Sequence, residues 1–393
     1  MKRRIFTLAT FAMLLGLQTG MASAANTEPI RIGLVLDLTG PFSEYGLQMQ
    51  AGIDAFMKQH GDKVAGRPIE LIVRDSTGPH PDVGKRVTQE LITREKVNII
   101  AGFGFSNVAL AVAPMATQSK TPMVIMNAGA SPITNASPYI VRTSFTLGQA
   151  SDVMGKWAAN NGIKKVMMII ADYAPGTDAE TNFSKAYQAA GGEIVGGVRV
   201  PISNRDFAPY LQRVKDAKPD AVFVFLPSGE PIISFMKGYQ ERGLQADGIK
   251  AIAAFGADDG ELEAIGKNAL GLISSQIYTP SHDSDVNRQF VKDFKEVDKH
   301  RLVPNFLSAG AYDGMAVIYA ALEKLKGDAS DGTKVVEAMK GWSHESPRGP
   351  IRIDPKTRDI IQNVYLREVK EVNGKLVNVE FDKYENVKDP GKM

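Results

Sequence analysis

The sequence predicts an α/β protein made of two doubly wound parallel sheets. Three observations carry that prediction. Short apolar runs of strand type alternate with amphipathic runs of helix type. The alternation comes in two successive sets of similar spacing. The loops after the strands are rich in Gly, Ser, Pro and Asn, residues that end strands and open helices. Parallel strands need a crossover, which a helix supplies, so each set reads as a doubly wound sheet of its own. Strand number alone leaves a single barrel open. Against it, a helix over 306–326 and later strands (Ile351–Ile353, Val364–Val369, Leu376–Phe381) break the βα rhythm.

The first set opens with strand Ile30–Leu36 and a helix over Ser43–Gln59. Strand Ile69–Val73 follows. Val83, Val87 and Leu91 then recur every fourth residue, which marks one face of a helix. Val97–Ala101 and Met123–Met126 are short strands of buried type. The second set has strands Val166–Ala171, Glu193–Val200, Ala221–Leu226 and Ile249–Phe255. Its helices fall at Ala150–Asn160, Phe183–Ala190, Phe207–Ala217 and Pro231–Arg242. No low-complexity linker separates the sets.

Ahead of the first strand stands a segment of another kind. Lys2, Arg3 and Arg4 precede an apolar stretch from Ile5 to Leu17, and Ala22-Ser23-Ala24 follows. That order is the build of a secretory signal peptide, residues 1–24, with cleavage expected after Ala24. The apolar run is short of the ~20 residues a membrane anchor needs. The chain has no cysteine, so disulfides, thiolate metal sites and a lipid-modified cysteine are excluded. A periplasmic protein is the expectation.

Composition narrows the function. The 44% hydrophobic and 23% charged residues suit a packed soluble core. Formal charge is +2, and residues 1–24 hold three of the cations and no acid. The near-neutral remainder lacks the concentrated positive surface that nucleic acid demands. The five histidines are scattered, so no metal or other cofactor is expected. Enzyme motifs fail one by one. Gly102-Phe103-Gly104 lacks the third glycine and the acid of a dinucleotide loop. Gly104-Phe105-Ser106-Asn107-Val108 lacks the last glycine of a nucleophile elbow. No nucleophile, base or metal set remains, so catalysis has no visible chemistry.

In open α/β sheets, ligands bind beyond the carboxyl ends of the strands. Those ends carry Asp37–Gly46, Gly102–Asn107, Asn127–Pro132, Asp172–Gly176, Pro227–Glu230 and Gly256–Gly260. Free N–H groups and hydroxyls at helix starts can hold a carboxylate without a counter-charge. Tyr45, Phe103, Phe105 and Tyr173 can cover an apolar body, and Asp258 or Asp259 can receive an ammonium. Ser106, Ser131 and Ser228 are equally suited to plain helix capping. Phe103 and Phe105 equally suit the core.

These residues resemble a known family. Ile30-Arg31-Ile32-Gly33-Leu34, then Leu38-Thr39-Gly40-Pro41 and Gly46, is similar to the start of type I periplasmic solute-binding proteins. The likeness is closest to the leucine/isoleucine/valine-binding branch that serves ABC importers. Arg74-Asp75-Ser76, Ala101-Gly102, Met126–Pro132, Asp172–Gly176 and Ala311-Tyr312-Asp313 extend it over the mature chain. The resemblance implies two Rossmann-like lobes joined by crossings near 140–147, 272–280 and 346–353. One lobe is then 25–143 with 279–348, the other 144–278 with 349–393. It implies a monomer that closes on its ligand and docks on a membrane permease. Carried over residue by residue, Tyr45 is a cleft aromatic beside Phe105. Ser106 holds the ligand carboxylate, with backbone groups of Ala128, Gly129 and Ala130, and Ser131 nearby. Tyr173, Ser228 and Asp258 close from the second lobe, Asp258 on an ammonium. The expected ligand is a branched-chain or other aliphatic amino acid. The Asn127–Pro132 and Asp172–Gly176 loops also look like those of members that bind aromatic carboxylic acids, so that class stays open. A sensory subunit and an exported hydrolase or dehydrogenase with a dispersed site are the rivals.

Overall fold

The protein is described by a computed structural model covering residues 28–202 and 204–392. The signal-peptide reading lies outside them. The first part of the chain forms β1 (Ile30–Leu36), α1 (Ser43–His60), β2 (Lys63–Val64), β3 (Arg67–Asp75) and α2 (Pro81–Thr93). It continues through β4 (Ile99–Gly102), α3 (Ser106–Ser119), β5 (Met123–Ile125) and β6 (Ile140–Arg142). These strands make a six-stranded sheet in the order β2-β3-β1-β4-β5-β6, parallel except at β2. Central β1 is buried almost throughout, which is why it reads as an unbroken apolar run. Gly46 lets α1 lie against the end of β1, because a Cβ there would sit 2.3 Å from the Asp37 carbonyl oxygen.

The chain then builds α4 (Leu147–Asn160), β7 (Lys165–Ala171), α5 (Ala174–Ala189), β8 (Glu193–Val200) and α6 (Ala208–Ala217). After these come β9 (Ala221–Phe225), α7 (Glu230–Glu241), β10 (Lys250–Ala254), α8 (Asp259–Ile265) and β11 (Ile273–Gln276). It next returns to the first sheet with α9 (Asp285–Val297), α10 (Phe306–Lys324) and α11 (Gly332–Met339). Helix α10 packs along α1 and is buried nearly all round, as expected of a helix without a polar face. Finally β12 (Ser343–Ser346), β13 (Gly349–Ile353), β14 (Ile360–Val372) and β15 (Lys375–Val387) add antiparallel strands to the second sheet. That sheet is nine-stranded, with β7 to β11 parallel and β15 paired to β14. Asn373 and Gly374, both at positive φ, turn the β14–β15 hairpin.

The structure departs from the sequence reading at definite points. Helix α5 starts at Ala174, not near Phe183, because Pro175 fits a first helical turn, where its missing N–H costs no hydrogen bond within the helix. Strands β6 and β11 were invisible because three or four residues show no period, and Ser274, Ser275 and Gln276 are polar. The last crossing falls before Ser343 instead of at 346–353, since β12 already pairs with β13 in the second sheet.

Two buried arginines brace the connections. Arg348 pairs with Asp313 of α10 at 2.7 Å and donates to the Ser144 carbonyl at 2.7 Å. It thereby ties the first crossing, the first-sheet helix and the start of β13. Arg142, at the end of β6, pairs with Asp359 at 2.6 Å. Burying these charges is tolerable only because each guanidinium is fully engaged.

Candidate functional site

The carboxyl ends of the two sheets face each other across a narrow cavity. From the first sheet come Tyr45, Gly104, Phe105, Ser106, Asn127 and Gly129. From the second come Tyr173, Pro175, Phe225, Pro227, Ser228 and Phe255. Phe145 of the first crossing and Phe306 at the start of α10 complete an aromatic end wall.

The rings are arranged in packed groups. Tyr45 stacks on Phe105, with centroids 5.1 Å apart and planes 4° from parallel. Phe145 lies 4.0 Å from Phe255, and Phe306 meets both edge-on at 5.6 and 5.1 Å. Tyr173 stacks on Phe225 at 5.9 Å. Such ring pairs fix the shape of a flat apolar slot. Phe255 holds φ of 55°, rare for a bulky residue, and turns off the end of β10 at that point. Gly104 is forced by crowding, since a Cβ there would lie 1.9 Å from Asp37 Oδ2. Burial pushes the Asp37 carboxyl up to about 6.

Among the described residues, no Asp, Glu, Lys, Arg or His lines the cavity. Positive potential comes from backbone instead. The N-termini of α3, α5 and α7 all begin at its wall, beside Ser106, Tyr173 and Ser228. Among the described residues nothing accepts the N–H of Ser106 or of Gly129. Ser106 Oγ accepts the Ala130 N–H at 3.1 Å, which leaves its own hydroxyl proton to donate. Together these donors form a neutral cradle for a carboxylate.

Tyr45, Phe105, Ser106, Gly129, Tyr173 and Ser228 therefore stand where the sequence reading put them, around one cavity. Four other expected residues do not. The Ala128 N–H donates to the Phe103 carbonyl at 3.0 Å. The carbonyls of Ala128 and Ala130 accept from Arg142 at 3.0 and 2.8 Å. Their backbone groups are thus spent, and this bracing is what turns Gly129 into the cavity. Ser131 donates its N–H to Asp178 at 2.6 Å and its hydroxyl to Asp389, so it joins the first lobe to α5 and the C-terminal tail. Asp258 is buried outside the cavity, caps α8 and pairs with Arg367 at 3.0 Å. Burial still pushes its carboxyl up, against the pull of Arg367. Asp259 holds the Asn378 side chain at 2.9 Å. Neither acid lines the cavity where an ammonium would sit.

Phe145, Phe225, Phe255, Phe306 and Asn127 were missed. Phe225 ends β9 and Phe255 follows β10, so the strand-end rule reached them one or two residues too late. Phe145 and Phe306 come from a crossing and a distant helix, and nothing local marks them. A second small cavity shares Tyr45 and Ser228 and is lined also by Glu44, Glu261 and Asn305. Glu261 accepts the N–H of Gly229 and, at 2.8 Å, that of Asp258. Burial and Asp258 push its carboxyl up to about 8.

Comparison with known proteins agrees with this architecture. Residues 29–375 match the family described as periplasmic binding protein. A Brucella melitensis relative named Leu/Ile/Val-binding protein homolog 6 is 44% identical over 94% of this chain and 95% of its own. A solute-binding protein of an ABC transporter from Rhodopseudomonas palustris BisB5, solved with 3,4-dihydroxybenzoic acid, is 49% identical. It superposes with a TM-score of 0.89 over 93% of this chain and all of its own. Another from R. palustris, solved with 4-hydroxybenzoate, is 41% identical over 92% of this chain and 99% of its own, with a TM-score of 0.88. Two mostly parallel sheets, a cavity between their carboxyl ends and full-length likeness converge: the chain belongs to the type I periplasmic binding protein family, among the solute-binding proteins of ABC transporters.

Proposed function

We propose that this protein captures an aromatic carboxylic acid of benzoate type and presents it, in a closed form, to an ABC permease. One observation carries the choice of ligand: the cavity is walled by aromatic rings and neutral donors and holds no acid. A carboxylate is served by Ser106 and the free N–H groups, whereas the ammonium of an amino acid would be buried with no carboxylate at the wall to offset its charge, at high cost. The R. palustris neighbours and their hydroxybenzoates support the same class.

The two lobes are the units carrying the two sheets, and closure brings Tyr45 against Ser228. Ligand drives closure only by binding the closed form better. Binding without turnover is part of this reading, in keeping with the family's transport role. Export by residues 1–24, a periplasmic site of action and a monomeric state belong to the same reading. The test is a thermal-shift screen of ligand-stripped protein with benzoate-, cinnamate- and phenylacetate-type acids beside leucine, isoleucine and valine. Ligand at about 1,000 times its Kd adds roughly 4 kcal/mol, a shift of several degrees. A shift with aromatic acids and none with the amino acids is expected, and the reverse pattern overturns the reading.

A further inference from the structure

Several fully buried side-chain polar atoms lack a partner among the described residues, and only one of them, Asn127 Oδ1, belongs to a residue of the cavity wall. Asn127 follows β5 and is 5% exposed. Its amide is oriented, because Nδ2 donates to the Gly104 carbonyl at 2.7 Å. That leaves Oδ1 as an acceptor with nothing to accept. A buried carbonyl in that state costs free energy until a donor reaches it. The other side-chain polar groups at the wall are hydroxyls, each able to donate. Ser106, Tyr173 and Ser228 bring hydroxyl protons, and Gly129 brings an N–H. A carboxylate is acceptor-only, so it satisfies those donors and does nothing for Asn127.

We infer that Asn127 is a specificity-determining residue that selects aromatic acids bearing a ring hydroxyl, whose proton goes to its Oδ1. The inference rests on the aromatic-acid reading and adds a second requirement to it: one acceptor group and one donor group on the same ring. Unsubstituted benzoate would fill the slot and leave Oδ1 unpaired. Sites built to pair a substrate hydroxyl reject the analogue that lacks it far more strongly than apolar pockets reject a missing methylene.

The test is calorimetric titration of ligand-stripped protein with benzoate, 3-hydroxybenzoate, 4-hydroxybenzoate and leucine, repeated on Asn127→Leu. At least one hydroxybenzoate should bind the wild type about tenfold or more tighter than benzoate, the worth of one buried hydrogen bond. Asn127→Leu should erase that preference, so that no hydroxybenzoate binds the variant tighter than benzoate does. Benzoate equal to both hydroxybenzoates in the wild type overturns the inference and leaves the aromatic-acid reading standing. So does a variant that keeps the wild-type preference. Leucine binding with no aromatic acid bound overturns both.

Discussion

The phenolic oxygen of Tyr45, near the start of α1, accepts the backbone N–H of Ser228 at 3.2 Å. One residue belongs to the first lobe and the other to the second, so this bond spans the cleft directly. Burial among the neighbouring rings and the nearby Tyr173 and Glu261 push the phenol far above its usual range, which keeps it a neutral donor and acceptor. Tyr45→Phe keeps the stacking on Phe105 and removes only the bridge. The closed form should lose about 0.5–1.5 kcal/mol, the net value of such a bond. Stopped-flow should show faster ligand release with little change in capture. An unchanged release rate would mean that the bridge does not hold the lobes together.

Ser106→Ala removes the hydroxyl donor at the head of α3. Affinity for any carboxylate ligand should fall by about 1.5–3 kcal/mol, the range for hydrogen bonds to a charged group. The slot itself should persist, because the aromatic walls do not depend on Ser106. Titration with an ester of the same acid separates the two effects: the ester should bind wild type and variant alike.

Asp258→Ala tests structure against recognition. Removing one partner of a buried ion pair strands Arg367, whose further bonds to Ser274, Tyr278 and Ala257 soften the loss. We expect about 3 kcal/mol of lost stability in denaturant melts, with ligand affinity nearly unchanged. Lost affinity at full stability would restore Asp258 as a ligand contact.

Glu261 makes stability depend on pH. Its carboxyl rises from 4.5 to about 8 on folding, so the folded protein binds this proton more tightly than the unfolded chain. That contribution is complete below pH 4.5 and is lost as pH rises through about 8. Asp258 acts in the same direction. Melting temperature followed over this window should fall more steeply for the wild type than for Glu261→Gln. Parallel curves would remove Glu261 as the source.

Much of this molecule is legible in its sequence. The periods of two and of about 3.6 marked most strands and helices, and the strand-end loops delivered Tyr45, Phe105, Ser106, Gly129, Tyr173 and Ser228 to one cavity. Those are local properties, because a residue's place at the end of a strand follows from its neighbours in sequence. What the sequence did not determine was which partner each polar group would take. Asp258 and Arg367 lie 109 residues apart, and their pairing turned a candidate ligand contact into a buried brace. Arg142 claimed the carbonyls of Ala128 and Ala130 in the same way and left Gly129 free. Phe145 and Phe306 became a wall only when a crossing and a distant helix met. Desolvation is the physical reason: once buried, a polar group must pair with whatever the fold brings near, and the fold is set by contacts far apart in the chain.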